Sequence, residues 1–127
     1  MTDPLPPYAR LLGLSVANVD GVQLWTMPFG NDVLGRPGFL HGGAIAGLLE
    51  FAALGALHAA LGDAPVEVKP INVTVSYMRG GVDRDTFASA TVTRLGGRVA
   101  NVEAHAWQED RAKPIAGAQM NVLLRRG

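Results

Sequence analysis

Residues 37–62, PGFLHGGAIAGLLEFAALGALHAALG, constrain the fold more than any other part of this chain. After His41 about twenty residues pass with only two ionisable side chains, Glu50 and His58. At 1.5 Å per residue that run makes a helix of roughly 30 Å. Its apolar residues ring the helix instead of lining one stripe, which predicts burial on every side. Glu50 then sits in a core element, where an unpaired charge is costly enough to need a functional reason.

The same run has to be weighed as a membrane span, because it is long enough to cross a bilayer. Two features argue against a span. A mid-helix acid costs roughly 2.5 to 3.5 kcal/mol if it behaves like Asp on insertion scales, and the second half of the chain alternates apolar and polar residues as sheet does. With 127 residues, 48% of them apolar, the chain is expected to form one domain, residues 1–127, around a sizeable core. Eleven Lys and Arg balance eleven Asp and Glu, so the global charge calls for neither nucleic acid nor an anionic membrane, and any anion site must be local. The chain has no cysteine, which excludes disulfides, thiolate catalysis and thiolate-bound zinc and fits a reducing, cytoplasmic compartment. Its opening residues, MTDPLPPYAR, show no secretory signal. The three histidines are too scattered to propose a metal site.

Taken in order, Pro4, Pro6 and Pro7 give an irregular start, and Tyr8–Leu12 suit one helical turn. Val19–Phe29 reads as a strand closed by Pro28, and Gly30–Gly38 as a loop. The helix follows, stopped by Gly62, Asp63 and Pro65. Beyond it the period changes to two, predicting strands over 66–78, 86–95, 98–108 and 115–124. The breaks at Arg79-Gly80-Gly81, Gly96-Gly97 and Glu109–Pro114 are short, so consecutive strands are expected to be antiparallel neighbours. One strand, a long helix and four strands make an α+β pattern, a sheet wrapped against a single helix.

At 100° per residue, Gly43, Ala46 and Gly47 share the face of Glu50. These small residues either leave a trough for a ligand under the carboxylate or let a neighbouring element pack closely; for small residues alone, close packing is the simpler reading. His41-Gly42-Gly43 opens the helix, where the first N–H groups lack intrahelical partners and glycines leave them uncovered. Such an end can hold an anion or the oxygen that turns negative when a carbonyl is attacked. Histidine in this place is more often a structural hydrogen-bonding group than a catalyst. Gly42 and Glu50 are eight residues apart, about 12 Å along one helix axis. One carbonyl cannot touch both, so a shared substrate requires two chains across a two-fold interface.

HGG followed by six residues and an acid, then a strand ending VSYMRGG and a later RLGGR, resembles the hotdog-fold acyl-CoA thioesterases of the phenylacetate-pathway and 4-hydroxybenzoyl-CoA types. The resemblance covers roughly residues 20–125. It implies a long central helix wrapped by a curved antiparallel sheet of five to six strands, and homodimers paired edge to edge that usually associate into tetramers. Glu50 would be the nucleophile or the general base for water, the partner subunit's Gly42 N–H would polarise the thioester carbonyl, and His41 would help fix the loop. Coenzyme A would be part of the substrate, with no separate cofactor. Its phosphates and pantetheine would lie near Arg79, Arg94 and Arg98, beside Tyr77, Gly97 and Gly43. The chain departs from the family where an Asn or Gln commonly stands six residues before the histidine. That position is Gly35, and the nearest polar candidates are Asn31, Asp32 and Arg36. Four residues after the acid, where some relatives carry a hydroxyl, stands Leu54, so Phe39, Phe51 and Leu54 are expected to line an apolar acyl pocket. His58, His105 and Trp107 are assigned to packing or the far face of the sheet, and Arg125 and Arg126 to a solvated tail. A dehydratase on the same fold fits less well, and a non-catalytic acyl-CoA or lipid binding module or a purely structural oligomer are the alternatives from other classes.

Overall fold

The computed structural model describes residues 5–126. In order it contains α1 (Pro7–Leu11), β1 (Ser15–Val19), β2 (Val22–Met27), a 3₁₀ turn (Asn31–Val33), α2 (Gly42–Leu61), β3 (Val66–Tyr77), β4 (Thr86–Leu95), β5 (Val99–Trp107) and β6 (Ala116–Arg126). The six strands form one antiparallel sheet in the order β1-β2-β4-β5-β6-β3, with α2 against one face. This is the hotdog arrangement.

Alternation decides which face meets the helix. Ala88 on β4, Ala100, Val102, Ala104 and Ala106 on β5, and Met120, Val122 and Leu124 on β6 are all buried. Alanine rows on the central strands let α2 lie close, and Leu48, Leu49 and Leu57 fill what remains. Irregular register near Pro70–Asn72 on β3 and Val92–Arg94 on β4 adds bend and twist to those strands. The outer face is polar, crossed by a side-chain ladder in which Asn101 donates to Asn121 and Asn121 to Asn72.

Four expectations need correction. The stretch read as one strand from Val19 is the second half of a hairpin, because Asp20 and Gly21 both have positive φ (52° and 81°), as a two-residue turn requires. β3 and β4 are not neighbours: residues 78–85 carry the chain from the β3 edge to a place beside β2, while β3 pairs with β6. The helix is not buried all round, since one sheet covers only one side of it. Glu50, Leu54 and Leu61 are half-buried and His58 lies on an exposed last turn. Arg126 is no loose tail; it ends β6, and its guanidinium donates to the carbonyls of Gly96 and Gly97.

Among the described residues, the one helix long and apolar enough to span a membrane, α2, packs against the sheet.

Candidate active site

His41 shapes the start of α2. Its backbone is extended (φ −70°, ψ 132°), and its ring folds back so that Nδ1 accepts the Gly43 N–H at 2.9 Å. A Cβ on Gly43 would stand 3.0 Å from that ring, so glycine there makes room for the cap. The His41 carbonyl accepts the N–H groups of Ala44 and Ile45 at 3.0 and 3.2 Å. The Gly42 N–H has no acceptor among the described residues, and the Gly42 carbonyl accepts the Tyr77 hydroxyl at 2.9 Å.

Glu50 lies two turns further along the same helix, half-buried, with neither a hydrogen bond nor an ion pair to any described residue. The ion pair in the described residues is Arg84 with Glu109, far along the chain. Of the small residues on its face, Gly47 opens no trough: a Cβ there would meet Tyr8 at 2.9 Å and Leu12 at 3.0 Å, so α1 occupies that space. Close packing is thus the reason for Gly47. Leu54, one turn beyond Glu50, stays half-exposed beside it. Phe51 lies 6.3 Å from both the Tyr8 and Trp25 rings and so joins the contact of α1 with β2.

The loop before the helix packs on backbone. Gly35 donates to the Phe39 carbonyl, and His41 N–H to the Val33 carbonyl. A Cβ at Gly35 would press on the His41 backbone and the Leu40 carbonyl at 3.1 to 3.2 Å, which explains why no amide side chain stands there. Asn31 and Asp32 are exposed on the 3₁₀ turn, and the Arg36 guanidinium lies over the Phe39 ring at 4.4 Å.

The three candidate arginines do not gather in one chain. Arg79 N–H bonds the Ile115 carbonyl and Leu124 N–H bonds the Arg98 carbonyl, so the two arginines sit nine residues apart along β6, about 30 Å. Arg79 shares a cavity of about 370 Å³ with Arg84 and Lys113, cations that sequence spacing did not single out because the crossover loop and the β5–β6 loop bring them in. Arg94 and Arg98 flank one of about 390 Å³ with Gly97, whose carbonyl is already held by Arg126. Trp107 is buried under the Arg111 guanidinium, 4.7 Å from its ring, and His105 is exposed on the outer face. No cluster of three metal-ligating side chains forms among the described residues.

The sequence model of the thioesterase superfamily matches residues 37–115, from just before the HGG turn to the end of the β5–β6 loop. The chain belongs to the thioesterase superfamily. Membership supports thioester hydrolysis as the general reaction. No curated protein matches the chain. Among solved structures, a Chromobacterium violaceum protein is 35% identical over 94% of this chain and 83% of its own, with a TM-score of 0.75. A phenylacetic acid degradation-related protein of Ralstonia eutropha is 23% identical, covering 95% of this chain and 92% of its own at a TM-score of 0.82. A Bacillus halodurans protein solved with CoA is 19% identical, covering 97% and 81% at 0.86. The last two share the fold with this superfamily member.

Proposed function

We propose that the protein hydrolyses an acyl-CoA thioester to free acid and CoA, with Glu50 acting at a carbonyl held by the Gly42 N–H of a second subunit. The observation that carries this reading is the state of Glu50: a half-buried carboxylate in an apolar helix, without a partner among the described residues to neutralise it. Glu50 attacks the carbonyl carbon itself or takes a proton from an attacking water. In either case the carbonyl oxygen becomes an oxyanion, for which the Gly42 N–H, without an acceptor among the described residues, is a donor. The C–S bond breaks and the thiolate of CoA leaves, and on the first route water then hydrolyses the acyl-glutamate anhydride to release the acid and restore Glu50. The superfamily match supports the reaction class.

Two chains are required because Gly42 and Glu50 stand about 12 Å apart on one straight helix. β3 supports that assembly. It is a twelve-residue edge strand with exposed Ile71 and Tyr77, and exposed Met78 just beyond its end, the kind of edge that pairs unless it is covered. Pairing β3 with its two-fold copy would make a homodimer with two equivalent sites.

The decisive experiment measures thiol release from aryl, short, medium and long acyl-CoAs by wild type and by Glu50→Gln. Turnover on at least one substrate is expected, with a loss of two or more orders of magnitude in the variant and unchanged folding; an equal rate in the variant ends the proposal. Gly35, where relatives commonly carry an amide, favours one second reading, a protein that binds acyl-CoA without cleaving it. Binding without thiol release across the series would select it.

A further inference from the structure

Among the described residues, every polar group of the two peptide units around Gly42 finds a partner except one. The unit joining His41 to Gly42 has its carbonyl held by Ala44 and Ile45. The unit joining Gly42 to Gly43 has its N–H held by His41 Nδ1, and its oxygen, which as the first carbonyl of α2 takes the Ala46 N–H of the helix ladder, is held a second time by the Tyr77 hydroxyl, each side-chain bond at 2.9 Å. What remains is the N–H of Gly42.

All but one of these bonds are local to the helix start. The remaining one comes from Tyr77, 35 residues away at the end of β3. Two successive glycines are the most freely rotating residues a helix can begin with, and helix ends fray. A donor that wags does little for a developing oxyanion, because electrostatic stabilisation depends on groups oriented before the reaction. The Tyr77 ring also lies against Gly42, with Cε1, Cζ and Oη each 3.5 Å from where a Cβ would be. A tyrosine hydroxyl has one proton to donate, and here it is spent on the Gly42 carbonyl.

We infer that Tyr77 is a positioning residue: it fastens the Gly42–Gly43 peptide to the sheet, so that the Gly42 N–H keeps one direction, and it does not bind substrate through its O–H. This rests on Gly42 being the oxyanion donor. Since Tyr77 ends the edge strand, the element free to pair with a partner subunit also holds the donor in place.

Tyr77→Phe tests this, because it keeps the ring and removes one O–H. We expect kcat to fall about five-fold, as loss of one hydrogen bond implies, with KM and dimer unchanged, the unfolding temperature lowered by no more than a few degrees, and faster solvent exchange of the Gly43 amide by NMR. An unchanged kcat overturns the inference, and so does a raised KM with kcat intact, which would make Tyr77 a substrate contact. Amide exchange is read without substrate. If every acyl-CoA proves inert to wild type, the functional reading fails, while faster exchange in the variant supports the clamp and an unchanged rate overturns it.

Discussion

Glu50 and Gly35 show how differently single residues constrain this protein. The carboxylate stands out in sequence because nothing near it is charged, and it has no ion-pair partner among the described residues. Gly35 has the opposite character: its importance lies in what a side chain would strike. Replacing it with Asn, an amide of the kind the resemblance leads one to expect there, should not supply a helper. The new Cβ would press on the His41 backbone at 3.1 Å and move the turn that presents Gly42. Gly35→Asn should destabilise the protein by about 1–3 kcal/mol and lower thiol release; thermal unfolding and the assay check both. His41→Ala removes the acceptor for the Gly43 N–H and should cost about 1 kcal/mol, the usual value of an N-cap, read from denaturant unfolding.

Between elements, the contact of α1 with α2 determines how much of the long helix is open. Tyr8 and Leu12 descend onto Gly47, and the Tyr8, Phe51 and Trp25 rings continue that contact to β2. Gly47→Leu puts a branched side chain where Tyr8 and Leu12 already stand. It should displace α1 at a cost of about 1–3 kcal/mol, and the near-ultraviolet circular dichroism of the aromatic cluster should weaken while the far-ultraviolet spectrum persists. The β1–β2 hairpin belongs to the same scale. Its signal was present in Asp20-Gly21, the pair most suited to a two-residue turn, and reading Val19–Phe29 as one strand passed over it. With the hairpin in place, β2 pairs with β4 only over Trp25–Met27. Beyond that contact lies a cavity of about 410 Å³ floored by Ala52, Ala56 and Ala59 of α2.

For the molecule as a whole, the division of the arginines matters most. A single chain presents Arg79 with Lys113 at one end of the sheet and Arg94 with Arg98 at the other. Antiparallel pairing of two β3 edges would bring the Tyr77 end of one subunit beside the Val66 end of its partner, so cations separated in one chain would approach each other across the interface. Ile71, 54% exposed at the irregular centre of β3, lies on that edge. Ile71→Arg would place like charges together about the two-fold axis. It should shift the protein from dimer to monomer in light scattering and abolish thiol release, with far-ultraviolet circular dichroism unchanged; a monomer with full activity would refute the two-chain site.

The long helix, its caps at His41 and Gly62, four of the strands and the acid were legible in the sequence, because periodicity, glycine and proline act over a few residues at a time. Strand order, the space α1 takes above Gly47, the turn of Phe51 towards Trp25 and the hold of Tyr77 on Gly42 were decided only by tertiary structure. Each of these joins residues far apart along the chain. A pattern with a period of two or 3.6 can tell which face of an element is apolar; which neighbour covers that face depends on how the elements pack against one another.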